Sequence, residues 1–220
     1  MIFQAALFDL DGTLLDTIED LTDSMNVALA VAGCPPRSVE ECKVFVGEGV
    51  ELFATRALPE ARRDAETLGR IIDVYRKDYA ARWAVKTQPY DGIPELLDAL
   101  AARHVKLAVL SNKPDEFTRV MVARLLPRWR FEAVAGARPS VRRKPDPAAA
   151  LQIAEELAVP PREFLYVGDT KTDMETAVAA GMFPAGALWG YRSAEELTAS
   201  GARALLAHPL DAVALLDPPR

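Results

Sequence analysis

The chain has 220 residues, of which 50% are hydrophobic and 26% charged, and its formal net charge is −6. This composition is typical of a globular protein with a sizeable core. The acidic balance argues against nucleic acid as the main partner, because a phosphate backbone is bound by a basic face. The N-terminal apolar run lacks a basic leader, and no apolar stretch approaches the roughly 18 residues of a membrane span. We therefore expect a cytoplasmic protein that does not bind a membrane.

Short apolar runs, each followed by loop residues, predict buried β-strands. In chain order they are 5–10, 105–112, 131–136, 163–169 and a weaker run at 184–190. Amphipathic segments predict the helices between and after them, at 93–104, 114–126, 146–159 and 170–181. Buried strands that alternate with helices indicate βαβ crossovers. The sequence therefore predicts an α/β fold with a doubly wound parallel sheet and helices on both faces.

One region breaks this alternation. Residues 16–86 contain helical patterns and no convincing strand, which predicts a small helical domain inserted after the first strand. Residues 1–15 and 87–220 then form the main domain. The two cysteines, Cys34 and Cys42, fall in the insertion and match no metal-binding spacing, so we expect free thiols in a reducing compartment.

Polar residues of catalytic types follow the first four predicted strands. They are Asp9 and Asp11, then Ser111, Asn112 and Lys113, then Lys144, and finally Asp169 and Asp173. In an open α/β sheet, ligands bind beyond the carboxyl ends of the strands, near the point where the strand order reverses. We therefore expect these residues to form one site.

Clustered carboxylates repel one another unless a cation is present, and oxygen ligands favour Mg²⁺. Because Mg²⁺ is usually shared with a substrate phosphate, this set implies a phosphoryl substrate. Asp9 would be the nucleophile and form an aspartyl-phosphate, while Asp11 would protonate the leaving oxygen and later activate water. Ser111 would donate a hydrogen bond to the phosphoryl group, Lys144 would offset its negative charge, and Asp169 would complete the metal site.

Four motifs, "DLDGTLLD", "LSNK", "RKPDP" and "GDTKTD", resemble those of the haloacid dehalogenase-like hydrolases in order and context. The resemblance covers nearly the whole chain. Within that superfamily the chain is similar to the phosphoglycolate phosphatase family, and "VFVGEGVELFATRAL" resembles the specificity loop of that family's helical cap. The resemblance implies a Rossmann-like core with a helical cap, and an Mg²⁺-dependent phosphatase that acts on 2-phosphoglycolate.

The resemblance also assigns roles to individual residues. It implies that Asp9 is the nucleophile, that Asp11 is the general acid and base, and that Ser111 and Lys144 bind the phosphoryl group. The Asp9 carboxylate, the Asp11 backbone carbonyl and the Asp169 carboxylate would hold Mg²⁺, with Asp173 as the second acid of the fourth motif. We further predict that substrate is bound by Thr13, Gly47, Glu48 and Asn112. Glu48 stands where a neutral amide is common, which leaves the substrate open.

Several alternatives remain at this point. The same core serves sugar-phosphate phosphatases and phosphomutases, but a mutase cap must hold a bisphosphate, and "VGEGVELF" contains no arginine. A carbon–halogen hydrolase would make Asp11 redundant. A non-enzymatic phosphate-binding module is disfavoured because every catalytic residue is present. The expected partner is a small phosphorylated metabolite, and the protein would be a monomer or a homodimer.

Overall fold

A computed structural model describes residues 3–216, so the terminal limits of the expected main domain, 1 and 220, lie outside the described residues. The chain divides into two compact units, one formed by Met1–Leu15 with Pro89–Arg220 and the other by Asp16–Gln88. The division after residue 88 lies two residues beyond the boundary expected from sequence. That the helical unit serves as a cap stays a prediction.

Eight strands occur among the described residues. In chain order they are β1 (Ala5–Phe8), β2 (Leu15–Asp16), β3 (Gln88–Pro89), β4 (Lys106–Pro114), β5 (Phe131–Ala137), β6 (Phe164–Gly168), β7 (Phe183–Ala187) and β8 (Ala204–Leu206).

Ten α-helices complete the described secondary structure, apart from two short 3-10 turns. They are α1 (Ile18–Val31), α2 (Val39–Phe45), α3 (Val50–Ala57), α4 (Ala65–Arg82), α5 (Ile93–Ala102), α6 (Asp115–Leu125), α7 (Ala148–Glu156), α8 (Lys171–Ala180), α9 (Ala194–Ala199) and α10 (Asp211–Ala214). Within the described part of the chain, none of these helices is both long and apolar enough to cross a membrane.

Six strands form one sheet in the order β5-β4-β1-β6-β7-β8, and the neighbours pair in parallel. The chain builds outward from β1 through β4 to β5, then returns to the other side of β1 and continues through β6. The strand order therefore reverses between β1 and β6, which is where an open α/β sheet places its ligand. This topology confirms the predicted α/β class and doubly wound parallel sheet.

The sheet is buried because its strands are apolar on both sides. All four residues of β1 are inaccessible to solvent, and β6 is buried throughout. Helices α7 and α8 pack small and branched residues such as Ala150, Ile153 and Ala177 against one face. The sequence does not predict strand β8, because three residues are too few to show a strand pattern. Continuous apolar strands such as β1 and β6 are typical of parallel sheets that are covered on both faces.

The helical unit has its own core. Helix α1 buries Leu21, Met25 and Leu29. In α4, the rings of Tyr75 and Tyr79 stack with centroids 5.6 Å apart. Cys34 and Cys42 are buried free thiols.

The segment that leaves α4 is fastened to the start of α1 by one buried carboxylate. Asp20 Oδ2 accepts hydrogen bonds from Lys86 N at 3.0 Å, Thr87 N at 2.9 Å and Thr87 Oγ1 at 2.8 Å. Since Asp20 is 1% exposed, these bonds replace the water that Oδ2 would otherwise bind.

Candidate active site

Asp9 begins the loop that follows β1, at the point where the strand order reverses. Its backbone N–H donates to Val167 O of β6 at 3.0 Å, which extends the sheet by one bond and aims the side chain beyond the strand ends. Asp9 Oδ1 accepts from Leu10 N at 2.7 Å and lies 2.9 Å from Lys144 Nζ. The predicted nucleophile and the predicted phosphoryl-binding lysine are therefore in direct contact.

Lys144 is a buried cation with a complete set of acceptors. Its side chain is 2% exposed, and Nζ contacts Asp9 Oδ1, Asp173 Oδ1 at 2.7 Å and Leu110 O at 3.0 Å. A buried ammonium is tolerated only when it is paired in this way. Burial by itself lowers the pKa of Lys144, but the carboxylates of Asp173 and Asp9 outweigh it and raise that pKa well above its ordinary value of 10.5.

The Lys144 backbone is held by a side chain from β4. Asn112 Oδ1 accepts from Lys144 N at 2.9 Å, and Asn112 Nδ2 donates to Lys144 O at 3.2 Å. Asn112 was predicted to bind substrate, and that role stays a prediction. The structure shows that its amide fixes the lysine relative to the sheet.

Three acids gather at the ends of β1 and β6. Asp9, Asp169 and Asp173 each offer an oxygen within 4.8 Å of the other two, and all three are buried. Asp169 is oriented from both sides, because Oδ1 accepts from Thr13 Oγ1 at 2.8 Å and Oδ2 accepts from Tyr191 N at 2.9 Å. Thr13, predicted to bind substrate, thus orients an acid of this cluster.

The electrostatics of the cluster favour a cation. Burial, with a further contribution from Asp173, raises the pKa of Asp9 to about 7. Burial, together with Asp173 and Asp9, also raises the pKa of Asp169 well above its ordinary value of 3.8. Three buried carboxylates facing a single lysine carry more negative than positive charge. An all-oxygen donor set of this kind suits Mg²⁺, so the residues fit the predicted ion.

Asp173 was predicted as a metal-site acid, and the structure gives both of its oxygens protein partners. Oδ1 contacts Lys144 Nζ and accepts from Tyr166 Oη at 3.4 Å. Oδ2 accepts from Thr170 N at 3.0 Å and Thr170 Oγ1 at 2.5 Å, closing a capping box at the start of α8. These contacts show that Asp173 positions Lys144 and anchors the helix. Its direct metal contact stays a prediction.

Asp11 is the acid that the three-carboxylate cluster leaves out. Its side chain is 21% exposed, and both of its oxygens accept from Lys113 Nζ, at 2.9 Å and 3.0 Å. Asp11 is therefore paired with a different lysine from the one that contacts Asp9. The predicted use of its backbone carbonyl as a metal ligand stays a prediction.

Ser111, Asn112 and Lys113 lie inside β4, which runs to Pro114. The expectation that they follow the strand is wrong, because β4 continues through a register shift against β5 between Leu110 and Pro114. Ser111 Oγ accepts from Lys113 N at 3.2 Å, so the hydrogen of its hydroxyl is the group it can donate to a phosphoryl oxygen.

Two glycines allow the backbone to approach the acids. A Cβ on Gly12, which has φ +84°, or on Gly190 would lie closer than 3.0 Å to side-chain atoms of Asp169. Only glycine adopts the Gly12 conformation without strain. The loop after β7 therefore packs directly on the candidate metal site.

The remaining predicted residues belong to the helical unit. Gly47 and Glu48 lie in the loop between α2 and α3, where Gly47 has φ +118°. Glu48 forms a close ion pair with Arg56 Nη2, and Arg56 Nη1 donates to Phe45 O at 3.1 Å. The pair ties the loop to the last turn of α3, and substrate contact by this loop stays a prediction.

Comparison with known proteins identifies the family. A family model described as haloacid dehalogenase-like hydrolase matches residues 6–187. The chain belongs to this family of hydrolases. The match confirms the resemblance inferred from the four motifs, including the assignment of the protein to the hydrolases.

Individual relatives cover most of the hydrolase. A phosphoglycolate phosphatase from Aquifex aeolicus is 33% identical over 211 residues, covering 96% of this chain and 95% of its own. A phosphoglycolate phosphatase from Xylella fastidiosa (strain 9a5c) is 34% identical over 193 residues, covering 88% and 83%. A crystal structure of a protein from Lactobacillus delbrueckii subsp. bulgaricus has a TM-score of 0.93 at 33% identity and covers 98% and 99% of the two chains.

Sequence reasoning missed several residues of the hydrolase site. The sequence predicts that Lys113 approaches the substrate but gives it no protein partner, and it assigns no role to Tyr166, Trp189 or Tyr191. Trp189 Nε1 donates to Thr13 O at 2.9 Å, so the segment after β7 braces the loop after β1. A tyrosine inside a fully buried strand and a "WGYR" segment directly after a strand were the available signals. Neither pattern specifies a partner.

Proposed function

We propose that this hydrolase is a phosphatase that cleaves a small phosphate monoester, with 2-phosphoglycolate as the leading substrate. The observation that carries the proposal is the contact between Asp9 and Lys144 at the reversal of the strand order, beside the acids Asp169 and Asp173. The names of the relatives from Aquifex aeolicus and Xylella fastidiosa support 2-phosphoglycolate as the substrate.

In this mechanism a carboxylate oxygen of Asp9 forms a bond to phosphorus as the bond to the leaving oxygen breaks. Asp11, in its acid form, gives its proton to that oxygen and becomes a carboxylate. It then takes a proton from water, whose oxygen attacks phosphorus and releases Asp9. Lys144, held by Asp173 and Asn112, offsets the charge on Asp9 and the phosphoryl group, and Ser111 donates a hydrogen bond to that group.

Mg²⁺ is the cofactor that the acidic cluster fits, with Asp9 and Asp169 as its carboxylate ligands. When bound, it would supply positive charge against these carboxylates and the phosphoryl oxygens. Thr13 and Tyr191 fix Asp169 in place, so little reorganisation is needed when the substrate arrives. We assign substrate selection to the helical unit, as the cap that the resemblance implies.

The test is phosphate release from a panel of 2-phosphoglycolate, sugar phosphates, nucleotides and pyrophosphate, with Mg²⁺ and with EDTA. We expect Mg²⁺-dependent turnover that is highest with 2-phosphoglycolate and is abolished in Asp9→Asn. Asp98→Asn, which changes a half-exposed acid, is the matched control. Absence of turnover with every ester, or full activity of Asp9→Asn, would refute the proposal. Preference for another ester would correct only the substrate.

A further inference from the structure

The ion pair between Lys113 and Asp11 is short, largely buried and made through both carboxylate oxygens. Lys113 Nζ lies 2.9 Å and 3.0 Å from the two Asp11 oxygens, and the lysine side chain is only 5% exposed. A lysine loses most of its hydration at this burial, so the fold keeps it there only with a charged partner. The two residues are 102 positions apart, and local sequence does not bring them together.

The site divides its charges between two lysines. Lys144 contacts Asp9 and Asp173, whereas Lys113 contacts Asp11, whose carboxylate lies outside the buried three-acid cluster. The loop after β1 thus presents two acids that are held by different cations. Such a division keeps the Asp11 side chain away from the cluster and in one orientation.

Lys113 lies within strand β4, which restricts the movement of the residue that contacts Asp11. Its backbone N–H donates to Ser111 Oγ at 3.2 Å. Asn112, between them, reaches the Lys144 backbone instead. The same short stretch of β4 therefore contains the serine proposed to bind the phosphoryl group, and it contacts the Lys144 backbone and the Asp11 carboxylate.

We propose that Lys113 is a positioning residue that holds the Asp11 carboxylate where it can take a proton from the attacking water. The inference rests on the proposed phosphatase function. The Lys113 ammonium neither gains nor loses a proton in this step. Its hydrogen bonds fix the carboxyl group that does, and proton transfer depends strongly on such placement.

A double-mutant cycle on the full-length protein tests this inference. The variants are Lys113→Met, Asp11→Asn and the combination, with Lys113→Arg as the conservative variant. Lys106→Met, at the opposite end of the same strand, is the matched control because its ammonium donates to a backbone carbonyl, Leu157 O. Thermal unfolding of each variant checks that it is folded, and kcat and KM are measured with 2-phosphoglycolate and with p-nitrophenyl phosphate.

We expect Lys113→Met to lower kcat by about 10- to 100-fold, with KM changed by less than about threefold. Lys113→Arg should recover most of that loss, and Lys106→Met should retain wild-type kcat. In the Asp11→Asn background, Lys113→Met should cost nothing further, because the residue it positions has already lost its function.

Two results would overturn the assignment while leaving the phosphatase in place. One is a multiplicative loss in the double variant, which would show that Lys113 acts independently of Asp11. The other is a large rise in KM at constant kcat, with weaker inhibition by inorganic phosphate, which would show that Lys113 binds the substrate directly. If the wild-type protein hydrolyses neither ester, the proposed function and this inference both fail.

Discussion

Replacing Asp9 by asparagine should stabilise the metal-free protein, even though it removes the proposed nucleophile. The ordinary pKa of Asp9 is 3.8 and burial raises it to about 7 in the folded chain. At pH values between these two pKa values, Asp9 keeps its proton in the folded protein but has released it in the unfolded chain. The folded state then binds more protons, so the free energy of unfolding falls as the pH rises through this window.

The magnitude follows from the size of the shift. A difference of roughly three pKa units corresponds to about 4 kcal/mol at 1.36 kcal/mol per unit. The wild-type protein bears this destabilisation fully above about pH 7, and only about 2 kcal/mol of it at pH 5. The attraction of Asp9 to Lys144 is already contained in the shift, since that lysine lowers the pKa. Asparagine does not titrate, so the variant avoids the cost.

Urea denaturation in EDTA at a series of pH values measures the difference. We expect Asp9→Asn to be more stable than wild type by about 4 kcal/mol at pH 8, with the difference narrowing to about 2 kcal/mol at pH 5. Asp98→Asn loses an exposed ion pair with Arg128 and should differ from wild type by less than about 1 kcal/mol at pH 5–8. A gap that does not change with pH, or a variant less stable than wild type at pH 8, would refute the reasoning.

Three further substitutions test other contacts. Gly190→Ala places a Cβ closer than 3.0 Å to Asp169, so it should lower the free energy of unfolding by about 1–3 kcal/mol and weaken Mg²⁺ binding measured by calorimetry. Unchanged Mg²⁺ binding would contradict this contact. Asn112→Ala removes both hydrogen bonds to the Lys144 backbone and should lower kcat about tenfold. An unaltered kcat would mean that these hydrogen bonds are not needed to position Lys144. Asp20→Ala leaves three donors without their acceptor and should destabilise the protein by about 2–4 kcal/mol in urea; a loss below 1 kcal/mol would argue against this fastening.

Much of the fold could be read from local pattern. Continuous apolar runs such as residues 5–8 predict strands buried on both faces, and their alternation with amphipathic segments predicts a parallel sheet. Strand β8 could not be predicted this way, since a strand of three residues is too short to carry a periodic signal. The end of β4 was also misplaced, because polar residues inside a strand look like the loop that usually follows it.

The residue types of the site were likewise available from sequence, because acids, a serine and lysines follow successive strands whose carboxyl ends meet at one edge. What only the tertiary structure decided is which of them touch. Thr13 and Asp169 are separated by 156 positions and Lys113 and Asp11 by 102, yet both pairs meet within 3 Å. Sequence periodicity records burial and backbone conformation, which act locally. The assignment of each lysine to its carboxylate depends on strand order and register, and these are set by packing across the whole sheet.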